Sequence, residues 1–197
     1  MTHSLKQAVA LHRALPPEGW LALREAGISD AVIHSRLLGW DGERITIPVF
    51  SLDRQVVAIE RADFDDEGLL VVEPDLAVPV RLFGAPVLHT EPTSLIITEG
   101  VAEALVLQSQ RFNVVSATGS GRSLPDGVAE LLRSVREVFI CFKRGVEGES
   151  AAAWLTREIP EAMLVALPVD EGEGIGDFFV RHNRTRDEFL RLLAEAS

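Results

Sequence analysis

The alternation that begins after Pro92 constrains this chain more than any other feature. Leu95–Thr98, Asn113–Ala117, Val138–Phe142 and Ala162–Leu167 are short apolar runs that read as strands. Val101–Gln110, Pro125–Ser134 and Glu149–Glu158 separate them with helical spacing of apolar residues. Asp177–His182 and Arg186–Ala194 read as closing helices. A strand that is apolar on both faces must be covered on both faces, so the pattern predicts βαβ units and a mainly parallel sheet flanked by helices.

The residues before Pro92 read differently. Leu5–Ala14, Pro17–Ala26 and Asp30–Leu38 are short helices, broken by Pro16-Pro17, Gly27 and Gly39. Ile45, Ile47 and Val49 alternate along a strand, and Gln55–Glu60 returns as its hairpin partner. Leu69–Glu73 follows as a further strand. The expectation is a smaller α+β lobe with an antiparallel hairpin over residues 1–92, then an α/β domain over 93–197.

Composition removes several function classes. The 197 residues carry a net charge of −11, and both halves are acidic. Tight, indiscriminate grip on nucleic acid, which rests on neutralising phosphates, is disfavoured. A lone Cys141 excludes a disulfide framework or a thiolate zinc site and fits a reducing compartment, with the cytoplasm as the expected location. No apolar run reaches the ~20 residues that span a bilayer, so no membrane association is expected.

In open α/β sheets ligands bind beyond the carboxyl ends of the strands. Those ends are Glu99-Gly100, Thr118-Gly119-Ser120-Gly121, Lys143-Arg144-Gly145 and the segment Asp170 to Asp177. Glu99 ends a strand and opens a helix, where a carboxylate can hold a divalent cation or simply serve as a helix-start acid. Gly119 and Gly121 would let backbone approach a phosphate, or merely make a strand–helix turn.

These residues resemble a known family. Thr98-Glu99-Gly100, with Glu103 following, is similar to the first motif of the Toprim domain. Phe142–Ala152 looks like the Toprim segment F-D-x-D-x-A-G-x-x-A-A, with Gly148, Ala151 and Ala152 in place. Gly174–Phe179 resembles the late acidic motif. In the first half, Glu25–Ser29 with Leu38-Gly39-Trp40, Arg44–Val49, Gln55–Arg61 and Arg81–Gly84 are similar in order and spacing to segments of DnaG-type primase cores. The resemblance runs from Leu15 to His182 and implies a Toprim-type sheet, a role in DNA replication or processing, and a divalent-metal site built from carboxylates.

The departures carry the functional expectation. The two aspartates of D-x-D are replaced by Lys143 and Gly145, and Gly176 replaces an aspartate of the late motif. Glu99 and Glu103 remain as residual catalytic candidates, and Glu99 and Asp177 as residual metal ligands. Glu147 and Glu149 stand nearby as rescuing acids or solvent-facing ones. A protonated lysine cannot ligate a metal ion. An ion ~4 Å from its ammonium would meet about 4 kcal/mol of repulsion per unit-charge pair at an effective dielectric of ~20. Lys143 is therefore read as replacing the metal, with a solvated side chain as the alternative. Gly119, Gly121, Arg122 and Arg144 are the anion-binding candidates. No cofactor is expected, magnesium or manganese entering only if catalysis survives. The leading reading is a non-catalytic primase-like module that binds a nucleic acid or nucleotide weakly, or a replication-protein partner. Its rivals are an active metal-dependent primase or nuclease, and a purely protein-interacting regulatory domain.

Overall fold

The computed structural model describes residues 4–73, 81–118 and 124–196. Three short helices open it: α1 (Leu5–Arg13), α2 (Pro17–Glu25) and α3 (Asp30–Ser35). Ser4 caps α1 by accepting the Gln7 N–H at 3.2 Å, and Pro17 begins α2 where its missing N–H costs nothing. Ser29 precedes α3 as expected, but its hydroxyl does not cap the helix; its N–H donates instead to Ser109 Oγ at 2.9 Å.

A four-stranded antiparallel sheet follows, in the order β1 (Gly39–Trp40), β2 (Ile45–Phe50), β3 (Val56–Phe64), β4 (Leu70–Glu73). The register pairs Ile47 with Glu60 and Val49 with Ala58, so the alternating apolar residues of the hairpin share one buried face.

The second sheet has the order β5-β7-β6-β8-β9. Its strands are β5 (Arg81–Phe83), β6 (Ser94–Thr98), β7 (Val114–Thr118), β8 (Glu137–Cys141) and β9 (Met163–Leu164). β6, β7, β8 and β9 run parallel, and β5 pairs antiparallel to β7. All four expected strands of the second half lie in this sheet. The last is shorter than the sequence suggests, because only Met163 and Leu164 pair and Pro168 ends the extended run. β5, which precedes Pro92, joins the same sheet.

Side-chain alternation assigns the two faces. Ile96, Val114, Phe139 and Cys141 face one core, shared with α4 (Val101–Ser109) and the N-terminal helices and hairpin. Leu95, Ile97, Val115, Val138 and Ile140 face a second core, shared with α5 (Val128–Arg133) and α6 (Val146–Glu158). The first core is continuous from Leu15 to Phe189 and joins residues on both sides of Pro92. A single π-type turn, Asp177–Arg181, leads to α7 (Arg186–Glu195), whose Thr185–Glu188 capping box is complete. Among the described residues no helix is long and apolar enough to cross a membrane.

Candidate functional site

β6 is followed by α4 on one face of the sheet, and β8 by α6 on the other. Neighbouring strands whose connections leave in opposite directions open a crevice at their carboxyl ends. The pairing of Thr98 with Cys141 puts Glu99 and Lys143 at this end together, as the sequence reading requires.

Three carboxylates gather there. Glu103, in the first turn of α4, has its carboxyl pushed above the usual carboxylate range, chiefly by burial. The charges of Glu99 and Asp177 add to this, and those of Lys143 and its own backbone N–H oppose it. Gly174 fixes the geometry: a Cβ built there would lie 3.3 Å from Lys143 Cβ and 3.7 Å from Glu103 Oε1. The late motif thus packs against both residues: a side chain at 174 would crowd Lys143 and come into ordinary contact with Glu103.

Lys143 is half-buried, and among the described residues no carboxylate lies within 4.0 Å of it. The sequence reading set it opposite Glu99; its charge is felt at Glu103. Glu99 Oε2 is buried and accepts no hydrogen bond from the protein. Such an orphaned acceptor is uncommon and carries an unrelieved desolvation cost.

Asp177 is only 9% exposed, and both its oxygens are engaged. Oδ2 accepts the Gly174 N–H at 2.8 Å and Oδ1 accepts from Arg181 Nη1 at 2.9 Å. Arg181 Nη1 also lies 3.1 Å from Glu67 and 3.2 Å from Glu173, and Glu173 in turn meets His182 Nε2 at 2.7 Å. The Glu67 contact ties the β3–β4 turn to the π-type turn at Asp177–Arg181. Arg181 is thus engaged by three of the chain's own carboxylates.

Arg144 is anchored at its backbone and at one guanidinium nitrogen. Its N–H donates to Glu173 O at 2.9 Å, its carbonyl accepts the Gly172 N–H at 2.8 Å, and its guanidinium donates to Val169 O at 2.7 Å. Gly145 adopts φ 122°, a conformation open to glycine and strained for any other residue. Three residues on, a Cβ at Gly148 would collide with the Lys143 carbonyl oxygen. The two glycines let α6 start against the end of β8. Glu147 and Glu149 sit in that first turn and are exposed, away from the three carboxylates. Gly119, Gly121 and Arg122 lie outside the described residues. Among the described residues, no three His, Cys, Asp or Glu side chains converge so as to hold a metal ion.

No protein-family model matches the chain, and no curated protein matches it either. Solved structures do. The zinc-binding and RNA polymerase domains of the Aquifex aeolicus primase superpose with a TM-score of 0.69 at 18% identity, over 99% of this chain and 62% of that one. A DnaG primase catalytic domain bound to single-stranded DNA gives 0.75 at 16% identity, covering 97% of this chain and 79% of that one. The RNA polymerase domain of Mycobacterium tuberculosis DnaG gives 0.70 at 17% identity, over 98% and 81%. This chain therefore spans less than two thirds of the Aquifex chain and most of the two catalytic domains. Along nearly its whole length, it has the fold of the DnaG primase catalytic core.

Proposed function

We propose that this chain is a primase-like module of DNA replication whose Toprim-type site is non-catalytic, its last acid taken by the chain's own Arg181. The observation that carries the reading is the state of Asp177. A residual metal ligand should offer a free oxygen to the crevice, and here one oxygen is bound by Arg181 and the other by the Gly174 N–H. Lys143 adds a cation that cannot ligate a metal and repels one. Two carboxylates remain, Glu99 and Glu103, and the Glu103 proton is held more tightly than usual. Divalent-metal chemistry needs several ionised oxygens fixed around the ion, and this donor set does not fit one. With a magnesium or manganese salt, ribonucleotides and a single-stranded template, the purified protein should make no primer and should not nick plasmid DNA. Template-dependent synthesis abolished by Glu99→Ala would overturn the reading.

The work left to such a module is binding. One similar DnaG catalytic domain is bound to single-stranded DNA, which supports nucleic acid as the first ligand to try. A chain of net charge −11 whose Arg181 is internally paired should bind it weakly, with affinity that falls steeply as salt rises. Fluorescence anisotropy of a labelled single-stranded oligonucleotide between low and physiological salt tests this. Sub-micromolar binding that ignores salt would contradict it, and no binding at low salt would favour a protein partner.

A second reading, an active metal-dependent nucleotidyl transferase or nuclease, draws on one observation. Glu99 Oε2 is buried with no hydrogen-bond partner, as an acceptor kept for an absent cation would be. Lys143 at the same strand ends is the nearer explanation, since a change of rotamer would bring an ammonium toward that oxygen.

A further inference from the structure

Beyond Lys143, a cleft of about 540 Å³ opens between α6 and the extended segment that continues β9. One wall is the small-residue face of α6 at Ala152 and Ala153; the other carries Leu164 and Pro168, and Phe142 lines the end nearest β8. Leu164 remains 43% exposed and apolar at the mouth. The alternation along this segment is strict: Val165, Leu167 and Val169 point into the first core. Leu164, Ala166 and Pro168 are the exposed residues of this wall, and Val165 and Leu167 also line the cleft from their buried positions.

Lys143 and Arg144 stand at the same opening with Glu149, in a chain that is strongly acidic elsewhere, and the Lys143 charge is shared with Glu103. Both cations are anchored at their roots. The Lys143 backbone packs under Gly148 and its Cβ against Gly174. Arg144 is fixed by two backbone hydrogen bonds and by the bond to Val169 O, which uses one of a guanidinium's five N–H donors. A concave, largely apolar slot of this size lined by two cations with anchored backbones has the anatomy of a small-ligand site. Duplex or protein surfaces would not enter it.

We propose that this cleft binds a small organic anion: an apolar ring system lying between Ala153 and Leu164, with a phosphate or carboxylate head on Lys143 and Arg144. A nucleotide and a simple aromatic acid share that chemistry. The probe is 8-anilinonaphthalene-1-sulfonate, a ring body with an anionic head, followed by fluorescence on the full chain. One saturable site is expected, weakened by salt. Ala153→Trp, at an exposed helical position, should fill the slot and weaken binding at least tenfold. Leu164→Glu, also exposed, should do the same by charge. Displacement by adenosine monophosphate assigns the site to nucleotides; displacement by 1-naphthoate alone assigns it to aromatic acids. Binding within twofold of the native protein in both folded variants, or no saturable binding at all, overturns the proposal. The probe carries neither metal nor nucleic acid, so failure here leaves the reading of the carboxylate site as it stands.

Discussion

Arg181 donates to Asp177 Oδ1 at 2.9 Å from one turn further along the chain, while the Gly174 N–H takes Oδ2 from three residues behind. The last acid of the Toprim pattern is thereby turned inward, into the fold of its own motif. Replacing Arg181 by Met would leave a nearly buried carboxylate with a single donor and would cut the tie to Glu67. The variant should melt at a lower temperature than the native protein at pH 7, and the deficit should shrink in acid as the carboxylates protonate. An unchanged melting temperature would mean the Arg181 contacts contribute nothing.

Glu103 gives a pH dependence of known sign. Its folded-state pKa is raised, chiefly by burial, so the folded form holds its proton where the unfolded chain has already released it. The native protein loses stability as pH rises through the ordinary glutamate value, until the folded-state pKa is passed. Glu103→Gln removes that loss. Urea titrations should show the variant more stable than the native protein at pH 7 and equal to it below about pH 4. A variant less stable at pH 7 would mean that the Glu103 charge is needed there.

The glycines beside Lys143 set the cost of rebuilding a metal motif. Gly148→Ala drives a methyl into the Lys143 carbonyl and should cost about 1–3 kcal/mol by denaturant titration. Gly145→Asp, which restores an acid of the D-x-D pattern, puts a side chain at φ 122° and should cost about 1–3 kcal/mol on its own. Lys143→Asp carries no such backbone strain and is the cleaner restoration; it should raise affinity for manganese, whereas Gly145→Asp alone should not. Full stability in Gly145→Asp would contradict this view of the loop.

Much of this was legible in the residues. Leu95–Thr98 and Val138–Phe142 announce buried parallel strands, and their register alone brings Glu99 and Lys143 to one end. Local signals moved the helix starts: α5 begins at Val128, after Gly127 at φ 76°, rather than at Pro125, and α6 begins three residues before Glu149, where Gly145 turns the chain. Arg81–Gly84 reads as a motif and not as a strand, since the three residues of β5 carry no period and its partner, β7, lies beyond β6. The charge pairing was the least legible part. Nothing in the spacing of Glu67, Glu173 and Arg181 shows that the β3–β4 turn reaches Arg181. The position of Lys143 followed from the strand, but its charge neighbour, Glu103, depends on how α4 and Gly174 pack.

Cys141 reports on the closure of the same core. It is fully buried at the end of β8, and its thiol is pushed far above its ordinary value by burial and then by the Glu103 charge. In the native state it should resist a disulfide-exchange reagent at pH 8, reacting stoichiometrically only after denaturant is added. Prompt labelling of the folded protein would show that the crevice opens to the depth of β8.

Manganese binding measured by the electron paramagnetic resonance signal of the free ion tests the central claim most directly. The donor set around Glu99, with Asp177 taken by Arg181 and Gly174 and with Lys143 alongside, is expected to leave the free-ion signal undiminished at protein and metal concentrations of about 100 μM, and Glu99→Ala should behave identically. Stoichiometric loss of the signal in the native protein, abolished by Glu99→Ala, would contradict the account and make this an ordinary metal-dependent Toprim centre.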